Sequence, residues 1–303
     1  MLSLLSPSNQ TFIDSLDNVS QRLDQVQQQI SSGLRVASVS DAPDSVSPIL
    51  QARARLSSNT QILQNLGHAT TEVNAADQVL QTATSLVDKV RTLAAQASSG
   101  TQTPQSLADI AQQVGAVLEQ LGGIANTTVE GRYIFSGDSD QTAPYSIDLS
   151  QTNPISAYQG SASTRQIQHP DGTTFAIAET AQQIFDAPAA NQNVFYSIAG
   201  LYTALQNNDQ NGISAAFSNI TGADSYLNSQ LAFYGNAENE ITDANNFGNN
   251  LQLQLQTQLS QLQDTDEASA IVEMTQAQTA EQAAIQSWSQ IPRTTLFEYL
   301  QAP

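Results

Sequence analysis

Apolar residues near the start of the chain recur at alternating steps of four and three positions. After Phe12 the pattern continues through positions that would share one helix face: Leu16, Val19, Leu23, Val26 and Ile30. This spacing is typical of a helix that packs lengthwise against another helix. The helix should end near Gly33, because glycine is favoured just past a helix end.

The same alternation returns in the middle of the chain and predicts four further helical segments. It begins again after Pro48 and is most regular over Ile62–Ala97, and a turn at Thr103–Pro104 separates this long helix from the next. Another stripe runs from about residue 213 to about residue 262, far beyond the average helix of about 11 residues, with a slip near Phe247–Gly248. The shorter segments in phase with this spacing are Leu107–Ile124 and Val194–Leu205.

The last helical segment has a weakly apolar face. Its best seam consists of Ala270, Met274, Ala277, Glu281, Ala284 and Trp288. Isolated helices depend on packing for most of their stability, so this segment and the first helix should both be marginal alone. We therefore expect the two ends of the chain to lie against each other or against neighbouring subunits.

Between the helical regions the periodicity changes to short runs separated by Gly, Pro, Asn and Asp. Three of these runs are typical of strands, namely Arg132–Phe135, Ile155–Tyr158 and Thr173–Ile177. The fold class expected from the whole pattern is mainly α with a β insertion. It comprises a long antiparallel helical bundle or coiled coil formed by the N- and C-terminal segments, plus a small outer β domain.

This pattern also predicts a domain organisation. We expect terminal assembly helices over residues 1–45 and 265–303, a central helical bundle over 46–131 and 181–264, and an inserted β domain over 132–180.

Composition excludes several classes of function. Nine basic and 28 acidic side chains give a net charge of −19 over 303 residues, which disfavours binding to nucleic acids and to anionic membranes. The chain has no cysteine, so disulfides, thiol catalysis and cysteine-ligated metal sites are ruled out. The first residues lack a cleaved signal-peptide pattern, and no apolar run is long enough for a membrane span. We expect a soluble protein, either cytosolic or exported without a cleaved signal peptide.

The residues that could carry chemistry are isolated. His68 and His169 have no second histidine to join, and a catalytic or metal site needs convergent groups. Asp138–Asp140 and Asp264–Asp266 begin like calcium loops but lack the later glycine and glutamate. Hydrolase, phosphate-loop, dinucleotide and zinc-protease motifs are absent from the sequence. The sequence therefore predicts no enzyme activity, cofactor or metal.

The two ends of the chain resemble the bacterial flagellin superfamily. At the N-terminal end, the similar residues are Ile30–Val36 (Ile-Ser-Ser-Gly-Leu-Arg-Val) and Ser40–Asp44 (Ser-Asp-Ala-Pro-Asp). At the other end they are Asp264–Ala268, Gln276–Gln278, Gln282–Ala284 and Leu296–Leu300. The resemblance implies a non-enzymatic structural protein of the bacterial flagellum.

Two internal stretches resemble the subfamily at the hook-filament junction, the type 3 flagellar hook-associated proteins. They are Asn126–Gly137 with Thr142–Tyr145, and Ala204–Asp209 with Gly212–Ile213. This resemblance implies an extracellular protein that is exported unfolded and assembles as a ring between hook and filament. The implied partners are other copies of the chain, a neighbouring hook-associated protein, flagellin, an export chaperone and the type III export apparatus.

The assembly surface is expected on the terminal helices. Its predicted residues are Leu16, Val19, Leu23, Val26, Ile30, Met274, Ile285, Trp288, Leu296, Phe297, Tyr299 and Leu300. Two alternatives remain open. Gln290-Ile-Pro292 favours a filament subunit of the flagellin type, and residues 132–180 could instead house an enzyme or a carbohydrate-binding module.

Overall fold

The computed structural model describes residues 7–151 and 153–289, and it is dominated by long helices. The helices are α1 (Pro7–Ser32), α2 (Pro43–Ser98), α3 (Pro104–Ala125), α4 (Ala181–Phe185), α5 (Val194–Gln206), α6 (Gln210–Gln263) and α7 (Glu267–Ser289). The strands are β1 (Thr128–Val129), β2 (Arg132–Tyr133), β3 (Gln166–Gln168) and β4 (Thr174–Ala176). The predicted class, mainly α with a small β part, is confirmed.

Local chemistry explains several helix boundaries. Gly33 follows α1 with φ of 69°, a left-handed conformation that an L side chain rarely adopts. The side chain of Thr103 accepts a hydrogen bond from the backbone N–H of Ser106 at 3.2 Å, and Pro104 occupies the first turn of α3. Pro48 does not mark the start of α2, which begins at Pro43 and runs through Pro48.

The slip expected near Phe247–Gly248 does not interrupt α6, which is a single helix of 54 residues. The carbonyl of Gly248 instead accepts a hydrogen bond from the side chain of the buried Asn59 at 2.8 Å. An added Cβ on Gly248 would lie only 2.7 Å from Leu63, so glycine allows this close approach of α2 and α6.

The chain forms two compact units, and the boundaries between them fall within α2 and α6. The terminal unit combines the two ends of the chain, up to Ser58 and from Gln252 onward. The middle unit is Asn59–Leu251. The sequence-based division into terminal helices, central bundle and inserted β domain remains a prediction.

The middle unit has a continuous apolar core, which extends in sequence from Leu66 to Ala244 and draws on α2, α3, α5 and α6. Within it, α2 and α6 run antiparallel, since Asn59 pairs with Gly248 and Arg91 pairs with Asp224. Helix α3 contacts α5. The core therefore combines the periodic apolar stripes that the sequence shows with side chains of the β part and α4, such as Phe135, Ile167 and Phe185.

The β part consists of two small antiparallel pairs. Strand β1 pairs with β2 across Glu130 and Gly131, which both have positive φ as a tight two-residue hairpin turn requires. Strand β3 pairs with β4. The strand expected at Ile155–Tyr158 is reduced to a single bridge between Ile155 and Ile147, and β3 and α4 were not predicted.

Candidate functional site

In the terminal unit, α1 and α7 form an antiparallel pair. The backbone N–H of Thr265 donates to the carbonyl of Gly33 at 3.0 Å, which joins the end of α1 to the residues just before α7. Farther along, Arg22 Nε and Glu273 Oε1 are 2.9 Å apart. Successive contacts thus move back along α1 and forward along α7. This pairing agrees with the expectation that the two chain ends lie against each other.

The residues between α1 and α2 bind the end of α6. The backbone N–H groups of Arg35 and Val36 donate to the carbonyl of Gln263 at 2.7 and 3.2 Å. The guanidinium of Arg35 donates to the carbonyl of Leu262 at 2.9 Å, and that of Arg53 donates to Gln263 Oε1 at 2.7 Å. The segment Ile30–Val36, identified above by resemblance, therefore connects the two halves of the terminal unit.

Asp41 organises the loop that follows. Its Oδ2 accepts hydrogen bonds from the backbone N–H groups of Ala37 at 2.9 Å and Ser38 at 2.6 Å, and its Oδ1 accepts one from the Ser38 hydroxyl. These bonds, led by that from the Ser38 backbone, lower the pKa of Asp41. The carboxylate is exposed and acts as a turn-forming acceptor.

Asp266 forms a similar cap at the start of α7. It accepts hydrogen bonds from the backbone N–H groups of Ala268 and Ser269 and from the Ser269 hydroxyl. The Ser269 bonds are the main cause of its lowered pKa. The second calcium-like segment is thus a helix cap, as expected from the preference for acids at a helix start.

The predicted assembly residues on α1 lie along its sheltered face. Val26 is 2% exposed, while Leu16, Val19, Leu23 and Ile30 are half-buried. On α7, Met274 is also half-buried. Because α1 contacts α7, much of this seam is already used within the chain.

Of the remaining predicted residues, the structure describes the side chain of Ile285 alone. Ile285 is 53% exposed on α7. The side chain of Trp288 lies outside the described part of the chain, as do Leu296, Phe297, Tyr299 and Leu300.

One exposed apolar residue of α7, Ile271, was not among the predicted assembly residues. Ile271 is 50% exposed and lies 14 residues before Ile285, about four turns away on the same side of the helix. Thr275, Gln278 and Gln282 lie between them on that side, and none is charged. The prediction relied on the apolar seam at 3-4 spacing. Ile271 was missed because an isolated apolar residue in a polar helix produces little periodic signal.

Other exposed apolar side chains of the terminal unit are Ile13, Val39, Leu50, Leu253 and Val272. Exposed apolar groups mark an interaction surface where they form a contiguous patch. The terminal unit therefore presents apolar groups beyond those that its own helices cover.

The two histidines lie in separate places in the middle unit. His68 is exposed, with Nδ1 3.8 Å from Glu130 Oε1. His169 accepts a hydrogen bond from the backbone N–H of Asp171 at 3.1 Å, and its ring lies 5.3 Å from that of Phe247. His169 thus belongs to the turn between β3 and β4.

A cleft of about 530 Å³ beside β3 is lined by His68, Glu72, Arg132 and Arg165, among others. Arg165 pairs with Glu72 at 2.5 Å and Arg132 lies near two carboxylates, so acids offset both arginines. Over residues 7–151 and 153–289, no group of three or more His, Asp and Glu side chains could hold a metal ion. Within those same ranges, no helix combines the length and apolar character of a membrane span.

Comparison with known proteins gives matches at both ends of the chain. A model of the bacterial flagellin N-terminal helical region matches residues 6–140, and one of the C-terminal helical region matches residues 217–300. The flagellar hook-associated protein 3 of Escherichia coli is 28% identical over 89% of this chain and 90% of its own length. Flagellin B of Helicobacter pylori, also 28% identical, aligns with only 47% of this chain and 28% of its own length.

A solved structure supports the fold independently. The flagellar hook-associated protein-3 of Legionella pneumophila superposes with a TM-score of 0.62, covering 71% of this chain and 98% of the other. Its sequence identity is 14%, so this likeness concerns the fold. The relatives that align over most of their length are structural components of flagella.

Proposed function

This chain belongs to the bacterial flagellin superfamily, and from that premise we propose that it is a structural protein of the flagellum that joins the hook to the filament. The observation that carries the proposal is the alignment with hook-associated protein 3 over nearly the full length of both chains. Similarity to a filament flagellin stops at about half of this chain. A filament subunit is therefore the weaker alternative.

The proposed action is packing rather than catalysis. Copies of the chain assemble as a ring through the terminal unit, whose α1–α7 seam and exposed apolar side chains support this role. The seam residues act by holding the two helices together, and Ile271 and Ile285 offer apolar area to a neighbour. Neighbouring hook-associated protein and flagellin subunits cover the remaining terminal surface.

Export in an unfolded state and escort by a chaperone complete the proposal. The absence of cysteine supports it, because no disulfide can form that would block an extended chain. The shallow core of the terminal unit supports it as well, since binding free energy can offset the cost of ordering weakly folded helices. The proposed location is the extracellular flagellum at the hook-filament junction.

Deletion of the gene in its motile host tests this function. The proposal expects bare hooks by electron microscopy and abundant flagellin in the medium, with restoration by the wild-type gene. Loss of the major flagellin band would instead identify a filament subunit. Normal filaments in the deletion strain would overturn the junction role.

Variants on α1 test the assembly surface in the same strain. Leu23→Asp and Val26→Asp should abolish incorporation and leave the middle unit folded, because a charge in the seam separates α1 from α7. Gln27→Asp adds the same charge on the same helix at an exposed position and should assemble normally. Normal filaments with Leu23→Asp would contradict the role of the seam.

A further inference from the structure

The segment that leads from β4 into α4 is attached to α6 by two hydrogen bonds through tyrosines. The backbone N–H of Glu179 donates to Tyr234 Oη at 3.1 Å. The hydroxyl of Tyr226 donates to the carbonyl of Gln183 at 2.8 Å. Residues 179–183 therefore lie along α6 between Tyr226 and Tyr234.

Gln230 occupies the turn of α6 between these two tyrosines. It is four residues after Tyr226 and four before Tyr234, so all three side chains share one face of the helix. Gln230 Oε1 is buried and has no hydrogen-bond partner, and the same holds for Glu179 Oε2. One unpartnered oxygen thus belongs to the stretch of α6 between the two tyrosines, and the other belongs to the segment that is bonded to those tyrosines.

Such an arrangement is costly if both oxygens remain acceptors. A buried polar atom without a partner loses its hydrogen bonds to water and gains none in return. One proton on the carboxyl of Glu179 removes both deficits, because a protonated carboxyl donates and an amide oxygen accepts.

We propose that Glu179 is protonated in the folded protein and donates a hydrogen bond to Gln230, which makes the attachment of residues 179–183 to α6 sensitive to pH. No ion pair neutralises Glu179 among the described residues. Its titratable neighbours are the neutral hydroxyls of Tyr226 and Tyr234, and Tyr234 is also influenced by the ion pair of Glu72 and Arg165. Burial raises the pKa of Glu179.

The raised pKa fixes the direction of the effect. The stabilising contribution is fully present below the pKa of an unfolded glutamate, and it is lost as pH rises through the folded pKa. Alkaline conditions should therefore loosen the segment between β4 and α4. Acidic conditions should hold it on α6.

A carbon-13 NMR titration of glutamate side-chain carboxyls in the full-length chain tests the proposal. The resonance that disappears in Glu179→Gln belongs to Glu179. We expect it to titrate above all other glutamates. Titration in the ordinary range near about 4.3 would overturn the proposal, because Glu179 would then be ionised at neutral pH.

Gln230→Met gives a second test with opposite outcomes. Methionine has a similar shape and cannot act as an amide, so the proposal expects the pKa of Glu179 to fall when its acceptor is lost. If Gln230 instead turns its NH2 group toward an ionised Glu179, the same variant should raise that pKa and so contradict the proposal.

Stability measurements extend the test to the segment itself. Glu179→Gln can donate to Gln230 at every pH, so its urea midpoint should exceed that of wild type by a margin that grows between about pH 5 and about pH 9. Glu240→Gln removes an exposed charge from α6, the helix that carries Gln230, and serves as the control. Equal pH profiles for Glu179→Gln and Glu240→Gln would count against the proposal.

Discussion

Both units contain helices with the same 3-4 spacing of apolar residues, but these side chains are much more deeply buried in the middle unit than in the terminal unit. The middle unit has a continuous core, with Leu66, Leu80 and Leu121 fully enclosed. Among the described residues of the terminal unit, the buried apolar side chains are few: Val26, Val36, Ile49, Ala52, Leu255, Ala270 and Ala277. Helical periodicity therefore predicts that one face of a helix packs against other protein surface. It does not indicate how much of that surface belongs to the same chain.

The difference has a physical consequence for each unit. A side chain enclosed on all sides contributes its full transfer free energy to folding, while a half-exposed one contributes only part. The middle unit should therefore fold by itself. The terminal unit should gain much of its stability from neighbouring subunits, in line with the proposed junction role.

The largest expected contrast comes from truncating one leucine in each unit. Leu80→Ala should lower the free energy of unfolding by about 2–5 kcal/mol, because it empties a closed core position. Leu23→Ala, on a half-buried face, should cost about 1 kcal/mol in the monomer. Urea unfolding of the purified monomers measures both losses. Equal losses would show that the terminal unit is as fully packed as the middle unit.

Ion pairs between helices provide the next contrast. Arg91 Nη1 lies 2.8 Å from Asp224 Oδ2 in the middle unit, where the Asp224 side chain is 10% exposed, and burial is the main cause of its raised pKa. Asp224→Ala should cost about 1–3 kcal/mol, because it leaves Arg91 with Asp88 alone. Glu273→Ala removes the exposed partner of Arg22 in the terminal unit and should cost at most about 1 kcal/mol.

Thermal unfolding of Asp224→Ala and Glu273→Ala at neutral pH distinguishes the two ion pairs. Asp224→Asn is the control, since it keeps the shape of the side chain and removes only the charge. A larger loss from Glu273→Ala than from Asp224→Ala would contradict the ranking.

Each unit contains a glycine with the same left-handed backbone conformation. Gly33 and Gly100 have φ of 69° and 70°, and no atom lies within 4 Å of a Cβ added to either. Alanine at either position should cost about 1 kcal/mol through left-handed strain alone. Because the terminal unit has less stability to lose, Gly33→Ala should reduce incorporation into flagella while Gly100→Ala should not. Incorporation is measured by immunoblot of sheared flagella, and equal incorporation of both variants would contradict the expectation.

The smallest expected effects concern two exposed aspartates that shape turns. Asp41 in the terminal unit and Asp171 in the middle unit both have lowered pKa values, caused first by Ser38 and by Thr173. Their stabilising effect is present above the pKa of an unfolded aspartate and is lost as pH falls through the folded pKa.

Asp41→Asn should therefore speed amide hydrogen exchange at Ala37 and Ser38, and Asp171→Asn should do so at Thr173, by less than about tenfold. Lowering the pH should reproduce each change in wild type once intrinsic exchange is corrected. Unchanged exchange in both variants would show that these hydrogen bonds do not hold the turns.

The sequence predicts the helices well because their periodicity is regular and their ends carry local signals. Gly33 and Thr103 mark boundaries that the structure confirms. The extension of α2 before Pro48 was missed, since a proline early in a helix removes few of its hydrogen bonds. Strand β3 was missed because Gln166–Gln168 has only one apolar residue, and its pairing with β4 is a tertiary feature.

The candidate site was only partly accessible from sequence for a related reason. The apolar seam of α1 could be recognised from its spacing. The helix that packs against it, α7, could not be identified in the same way. Arg35 binds Leu262 and Gln263, and Tyr234 binds Glu179, so both interactions join residues far apart in the chain. Patterns in a single sequence indicate the apolar faces and the ends of helices. Contacts between distant residues depend on how whole helices and strands pack together.

Cysteine accessibility in assembled flagella measures whether neighbouring subunits cover the terminal unit, and the chain suits this measurement because it contains no cysteine. Ile271→Cys in the terminal unit and Tyr196→Cys in the middle unit replace apolar residues that are 50% and 59% exposed. Both should react with a bulky maleimide in the purified monomer. After assembly we expect Ile271→Cys to be protected and Tyr196→Cys to react as before. Equal labelling of Ile271→Cys in the monomer and in flagella would contradict the claim that neighbouring subunits cover this terminal surface.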